Sequence, residues 1–102
     1  MSSGYDDSTG KAQRFEYVLP WPAGSLSATG TDMGRFMMAH LNNGAGILKP
    51  ETVQIMHSYR APNIPGLNTM ALGFYEQRLN GHRAIGHGGD TTQFHSNLLL
   101  FP

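Results

Sequence analysis

The apolar segment near the end of the chain constrains the fold most. Leu98, Leu99 and Leu100 are consecutive and lie within a strand predicted from Phe94 to Phe101. A strand with one wet face alternates apolar and polar residues, whereas a continuous apolar strand is normally covered on both faces. The remaining sequence predicts thin cover for it. We therefore expect either a homo-oligomer formed through this exposed apolar strand or a fragment of a larger protein, and we favour the fragment.

Two short helices are predicted within the segment 22–62. For the first, Thr31 is a candidate N-cap, Asp32 suits the positive end of the dipole, and Asn43-Gly44 supplies a left-handed stop. Its apolar face, at helical spacing, consists of Met33, Phe36, Met37, His40 and Leu41. The second helix begins at Pro50, a favoured first helical residue, and ends before Pro62. Its inward-facing residues are expected to be Val53, Met56 and His57.

The segment 63–102 changes from helical to strand periodicity after a loop at Asn63–Gly66. Three antiparallel strands are predicted, at Met70–Gln77, His82–Gly86 and Phe94–Phe101. The first two are joined by a hairpin turn over Arg78–Gly81. The prediction is therefore an α+β fold with an antiparallel sheet of about three strands and two short helices, in a single domain or fragment spanning residues 1–102.

The segment 1–21 is predicted to be a loop and a weak strand, and it contains a literal Ser-x-x-Lys pattern at Ser8 and Lys11. Where this pattern is catalytic, a Lys one helical turn away deprotonates the nucleophilic Ser. Here the pattern lies in a polar turn over Asp6–Lys11, and the alternating strand Phe15–Leu19 follows before Pro20-Trp21-Pro22 interrupts it. Because that chemistry needs a buried helix, we interpret the pair as a decoy nucleophile.

Composition excludes several functional classes. Seven basic and seven acidic residues give a net charge of zero, which removes the positive footprint expected of a nucleic-acid-binding protein. The sequence contains no run of about 18 apolar residues, so no membrane segment is predicted, and no signal peptide is visible. The absence of Cys excludes a thiol nucleophile and a thiolate zinc site, and nothing in the sequence implies a cofactor.

The candidate site is the glycine-rich stretch Gly86-His87-Gly88-Gly89-Asp90. Glycines beside a His on a strand let a ligand approach the backbone closely, while the imidazole donates to an anionic group or an oxyanion. The alternative is a tight bend in the sheet with a partly exposed His. A metal cluster of His82, His87, His95 and Asp90 is disfavoured, because their spacing matches no standard ligand pattern.

Four stretches of the chain occur in a characteristic order. They are Pro22–Thr29 with Asp32–Phe36, then Gly46–Met56, Leu72–Phe74, and Gly86–Gly89 with Phe94–Ser96. In this order they resemble motifs of the serine β-lactamase-like superfamily: "P-A-G-G-L-x-S-T-x-x-D-L-x-R-F", "L-x-P-E-T", "Y-G-L-G-F/W" and "G-H-x-G-x-x-x-G-F-x-S". That superfamily includes class C β-lactamases, penicillin-binding-protein-like carboxypeptidases and related esterases. The resemblance covers about residues 22–102 and implies a partial β-lactamase/transpeptidase-like fold.

The resemblance assigns the third, substrate-side motif to His87-Gly88-Gly89, with Asp90 following. It implies that His87 orients the substrate, that the glycines let the backbone approach an acyl group, and that an amide near Asp90–Thr92 completes an oxyanion hole. The implied substrate of the parent protein is a small-molecule or peptide-like acyl compound. A periplasmic or extracytoplasmic location is implied for that parent. The sequence departs from the pattern at Gln93, where Gly is common.

Two motifs of the superfamily precede the stretch that Pro22–Thr29 resembles, namely the nucleophilic Ser-x-x-Lys and a Tyr-x-Asn or Tyr-x-Ser. Ser8-x-x-Lys11 lies too close to the third motif and in the wrong kind of element, and no Tyr of the chain is followed at the second position by Asn or Ser. Acyl transfer without an activated nucleophile loses most of its rate enhancement. We therefore expect a C-terminal fragment of a serine hydrolase that is inactive alone, with no complete set of catalytic residues. The alternative is a free-standing, non-catalytic module that binds an extended peptide by strand addition or associates with itself.

Overall fold

The computed structural model describes residues 2–19, 22–61, 64–65 and 69–102. The chain divides into two compact units: unit 1 comprises Met1–Ser27 and Gly88–Asn97, and unit 2 comprises Ala28–His87 and Leu98–Pro102. Its elements, in chain order, are α1 (Gly30–Leu41), α2 (Pro50–Ser58), β1 (Tyr75–Leu79), β2 (His82–Asp90) and β3 (His95–Leu100). The predicted α+β class, with two helices and three antiparallel strands, is confirmed.

Some predictions concern residues outside the described part of the chain. They are the interruption at Pro20-Trp21 and the two ends of the loop at Asn63–Gly66. The predicted end of the second helix before Pro62 lies in the described part and is confirmed, because the helix ends at Ser58. Within the described residues, no helix combines the length and apolar character needed to cross a bilayer.

The N-cap of helix α1 lies two residues earlier than the sequence predicts. The N-cap is Thr29, not Thr31: the Thr29 hydroxyl accepts from the Asp32 backbone N–H, and the Asp32 carboxylate accepts from the Thr29 N–H. This reciprocal capping box satisfies two otherwise unpaired donors, which Thr31 could not do with a residue three positions on. The helix stops at Asn42, and Asn43 (φ 52°) and Gly44 (φ 93°) supply the predicted left-handed residues.

Helix α2 starts at Pro50, as predicted, and ends at Ser58. Its N-cap, Lys49, makes no side-chain capping bond, so Pro50 and the packed face define the start of the helix. Val53 and His57 are buried, and Met56 packs against the core of unit 2, which confirms the predicted inward face. For α1 the predicted apolar face is only partly buried, since Phe36 and Leu41 are exposed.

The sheet has the order β1-β2-β3. Strands β1 and β2 pair antiparallel from Leu79↔His82 to Tyr75↔Gly86. They are joined by a two-residue turn, Asn80-Gly81, in which both residues have positive φ (50° and 82°). That geometry matches the right-handed twist of the flanking strands and favours an Asn-Gly pair.

The largest differences from the predicted strand boundaries are at the start of β1 and the end of β2; the end of β1 and both ends of β3 differ by one or two residues. Strand β1 begins at Tyr75 rather than Met70, because Gly73 (φ 75°) turns the chain and Met70 makes only an isolated bridge to Tyr75. Strand β2 does not stop at Gly86 but continues through Asp90. The glycine-rich stretch therefore lies inside a regular strand, and the alternative interpretation as a tight bend is wrong.

The core of unit 2 lies between the helices and the sheet. It is formed by Ala71, Phe74, Ile85 and Leu100, with Met37, Met56 and Leu98 packed against it. Leu100 is 1% exposed, so the apolar end of β3 is covered within unit 2, and the expectation that it lacks cover is wrong there. Burial of these side chains supplies the main favourable term for this unit.

Unit 1 is held by turns and polar contacts. Tyr5 and Ala12 form an isolated antiparallel bridge across the N-terminal turn, and the Thr92 N–H donates to the Glu16 carboxylate. The strand predicted over Phe15–Leu19 is wrong. Tyr17 and Leu19 are 81% and 86% exposed, so the alternating pattern has no partner strand or core surface to bury against.

Candidate functional site

The motif strand carries His87 at the end of its part in unit 2. The His87 side chain is exposed, and its ring centre lies 5.8 Å from that of Tyr75, on β1. The preceding residue, Gly86, is buried. A Cβ there would collide with the carbonyl oxygen of Leu98 and lie 2.7 Å from Cδ2 of Leu99. Gly86 therefore allows β2 and β3 to approach closely, a packing role that leaves His87 accessible.

The rest of the motif belongs to unit 1. Gly88 is half-buried, while Gly89 and Asp90 are exposed; the Ser96 hydroxyl donates to the Gly89 carbonyl at 3.3 Å. Asp90 Oδ1 lies 2.7 Å from His95 Nδ1, so the carboxylate orients that exposed imidazole. This dyad was not predicted from the sequence, because five residues and a turn separate its members.

The segment after Asp90, where an oxyanion donor was expected, is a tight turn. The Thr91 N–H donates to the Phe94 carbonyl at 2.9 Å, and the Thr91 hydroxyl accepts from the N–H groups of Gln93 and Phe94. Gln93, the residue that departs from the family pattern, packs its side chain against Gly4 within unit 1. Two amides of this segment, those of Thr91 and Thr92, thus already donate to protein acceptors.

Ser8 and Lys11 lie in an exposed turn organised by Asp6. Asp6 Oδ1 accepts from the Ser8 hydroxyl at 2.6 Å and from the Thr9 N–H at 2.8 Å. Hydrogen bonds from the Ser8 and Thr9 side chains hold the Asp6 pKa below its usual value. The Ser8 hydroxyl proton is therefore directed to a carboxylate rather than to an amine, as the decoy interpretation of Ser8 requires.

Among the described residues, no three His, Asp or Glu side chains lie together in a way that could hold a metal ion. Asp90 contacts His95, while His82 is exposed at the start of β2.

Unit 2 contains a buried histidine pair that was not predicted from the sequence. His40 on α1 and His57 on α2 are 3% and 8% exposed, and His40 Nδ1 lies 3.1 Å from His57 Nε2. The ring planes are only 25° apart and the ring centres are 5.3 Å apart. A ring nitrogen lies a little over 1 Å from its ring centre, by roughly standard covalent geometry. The short distance between the nitrogens therefore requires both to lie close to the line that joins the ring centres. The imidazoles thus meet edge to edge in a hydrogen bond, in which one nitrogen donates and the other accepts.

Aromatic and cationic groups surround the pair. The Phe74 ring presents an edge-on contact to His40 and to His57, with ring centres 5.3 Å and 6.0 Å away. An Arg83 Nη2 N–H donates to the His57 backbone carbonyl, and Arg83 Nε donates to Glu76 Oε2 at 2.8 Å. Arg60 also donates to Glu76 Oε2, at 2.5 Å. Two guanidiniums thus share one carboxylate, and the trio carries one surplus positive charge.

An open cavity of about 490 Å³ adjoins the pair within unit 2. Both imidazoles line it together with Arg83, and the wall also includes Leu41, Val53 and Gln54. This volume falls within the range of small-molecule sites, which combine apolar walls with a few convergent polar groups. The cavity is therefore a second candidate site, separate from the motif strand.

Burial lowers the pKa of both histidines, and the charges of His40 and Arg83 lower that of His57 further. In the unfolded chain both histidines are protonated near the ordinary pKa of about 6.5, whereas in the folded chain they are protonated only at lower pH. Because the unfolded state binds more protons in that window, stability rises with pH there. The pair is accordingly a source of acid sensitivity in unit 2.

We expect the free energy of unfolding to fall as pH decreases from about 7 to about 5. The double variant His40→Asn/His57→Gln, whose amides can keep a hydrogen bond without titrating, should lose most of this dependence. Urea unfolding at a series of pH values measures both slopes. Hydrogen bonds from neighbouring hydroxyls lower the pKa of three carboxylates, so these groups titrate below this pH window. They are Asp6, Glu16 and Asp32. Equal slopes for the wild type and the double variant would contradict the assignment.

The helix patterns placed His40 and His57 on inward faces but could not bring them together, because they lie on different helices with no periodic relation. A polar residue on an apolar face is a weak signal that it has a buried partner. Comparison with the profiles of known protein families, with curated proteins and with solved structures finds no match to this chain.

Proposed function

We propose that this chain is the C-terminal, substrate-side part of a serine β-lactamase-like hydrolase. In this proposal the β2 segment His87-Gly88-Gly89 is the third active-site motif, and another part of the protein supplies the nucleophilic Ser. The acyl compound is a β-lactam, a peptide or a carboxyl ester. The isolated chain is inactive.

The observation that carries the proposal is the conformation of the motif. It lies in a regular strand that ends in exposed residues, and the His87 side chain is accessible to solvent. Gly86 accounts for the close approach of β3, whereas no comparable backbone contact explains Gly89, where a Cβ would meet only the Ser96 hydroxyl, at 2.8 Å. A site that needs an extended backbone and an approachable imidazole would use such a strand.

The position of the decoy pair supports the division of roles. Ser8 donates to Asp6 in an exposed turn, so nothing there desolvates a Lys or fixes it beside the hydroxyl. An activated serine needs an adjacent base held in place. His87 would then bind the substrate or balance the charge at the reacting hydroxyl, which is a positioning role.

The first experiment uses the chain itself with a chromogenic cephalosporin and a short-chain p-nitrophenyl ester. We expect no hydrolysis above the buffer rate and, by intact-mass measurement, no gain of mass with penicillin or a fluorophosphonate. A covalent adduct on Ser8 would contradict the proposal, since that residue would then be an activated nucleophile.

The second experiment uses the longer polypeptide that contains this segment, if the coding DNA upstream of Met1 encodes in-frame Ser-x-x-Lys and Tyr-x-Asn motifs. There His87→Ala should lower kcat/KM for acylation by about 10²-fold or more, the effect of losing one electrostatic stabiliser. The control is His82→Ala, an exposed His at the start of the same strand. Equal losses in the two variants, or the absence of both upstream motifs, would refute the proposal.

A further inference from the structure

The cavity beside the His40–His57 pair has features that the proposed hydrolase does not use. It lies within unit 2, and none of the described residues that line it is an Asp or a Glu. Its lining combines the apolar residues Leu41, Val53 and Pro102 with Arg83. A cavity with apolar walls, a cation and no opposing acidic side chain suits an organic anion better than a neutral or cationic ligand.

The charge balance beside the cavity, whose lining includes Arg83 of the three charged residues, points the same way. Glu76 is the single carboxylate that receives both Arg60 and Arg83, so one positive charge remains uncompensated within this trio. The Glu76 side chain is 11% exposed, and water therefore screens the trio less than it would on an open surface. Arginine presents a planar fork of donors that matches a carboxylate.

The imidazole pair adds a protonation step. With one added proton, an imidazolium can donate to the neutral partner and the edge-to-edge hydrogen bond is kept; with two, no acceptor remains. The charged and titratable groups around the pair are Arg83 on β2, Glu76 on β1 and Arg60 after α2. The charge of Arg83 opposes protonation of His57, and an anion in the cavity would relieve that opposition.

We propose that this cavity is a binding site for a small organic carboxylate and that binding is coupled to uptake of one proton by the His40–His57 pair. The carboxylate lies against Arg83, and the apolar part of the ligand lies against Leu41 and Val53. Because linkage is reciprocal, the carboxylate binds more tightly as the pH falls, and protonation of the pair is easier when the site is filled.

The test is calorimetric titration of the full chain with benzoate, with benzamide as the neutral isostere and inorganic phosphate as an anion without an apolar part. Benzoate should bind at least about tenfold more tightly than either, because only benzoate satisfies both the cation and the apolar wall. Equal binding of benzamide would overturn the role of Arg83. Equal binding of phosphate would contradict a carboxylate-specific site and would indicate a general anion site.

Titration at about pH 6 and about pH 7.5, in two buffers of different ionisation enthalpy, measures the coupled proton directly. We expect an uptake between zero and one proton and a Kd for benzoate that falls by about threefold or more toward the lower pH. The variant His40→Asn/His57→Gln should bind benzoate without this uptake. No uptake by the wild type, or an unchanged uptake by the double variant, would overturn the coupling.

Charge specificity has its own control. Arg83→Gln should weaken benzoate binding by about tenfold or more, whereas Arg35→Gln, which removes an exposed arginine from α1, should leave it unchanged. Circular dichroism first establishes that Arg83→Gln is folded, and the comparison of benzoate with benzamide in the wild type decides the question if it is not. Equal effects of the two arginine variants would show that only overall charge matters.

Discussion

Replacing Phe74 with Ala should lower the free energy of unfolding by about 3–5 kcal/mol, the usual cost of emptying a buried phenylalanine site. Phe74 is 4% exposed and belongs to the core cluster with Ile85 and Leu100. Its ring also contacts both His40 and His57. The substitution therefore leaves a void in the core and removes the edge-on ring contacts to both imidazoles.

Because small domains are stable by only about 5–15 kcal/mol, this loss should remove a large share of the stability of the chain. Urea unfolding followed by circular dichroism measures it, with Phe101→Ala as the matched control. Phe101, also in unit 2, is 55% exposed, and its loss should cost under about 1 kcal/mol. Similar losses at Phe74 and Phe101 would show that the core is not where the structure places it.

Local signals in the sequence were sufficient for the helices and the hairpin. Pro50 at the first helical position, Asn43-Gly44 as a helix stop and Asn80-Gly81 as a turn each act through backbone geometry that neighbouring residues do not override. The N-cap was misplaced by two residues, because both Thr29 and Thr31 have suitable side chains. Only the reciprocal bond from Asp32 distinguishes them.

Features that depend on distant residues could not be predicted in the same way. The alternation from Phe15 to Leu19 looks like a half-buried strand, but whether a strand forms depends on a partner and a surface to bury against. The continuation of β2 through Gly88 and Gly89 depends on β3, which the local glycine content does not reveal. The His40–His57 contact requires the relative placement of two helices, which no local pattern encodes.

A Gly86→Ala substitution should destabilise the chain by about 2–3 kcal/mol, although it adds a single methyl group. The new Cβ would collide with the Leu98 carbonyl oxygen, which is part of β3 and cannot rotate away, and would press on Leu99. Relief requires the two strands to separate, which disturbs the ladder of hydrogen bonds and the neighbouring core residue Ile85.

The same substitution at Gly34, inside α1, should have the opposite sign. Nothing lies within 4 Å of a Cβ at Gly34, so Ala there should raise the free energy of unfolding by about 0.5–1 kcal/mol through its better helix propensity. Thermal and urea unfolding of both variants gives the comparison. Neutral behaviour of Gly86→Ala would mean that β2 and β3 do not approach as described, and His87 would lose the fixed strand position on which its proposed role depends. A large loss of stability in Gly86→Ala, with a gain in Gly34→Ala, would show that the first glycine of the motif serves packing. His87, Gly88 and Gly89 would then be the part of the motif available for substrate binding.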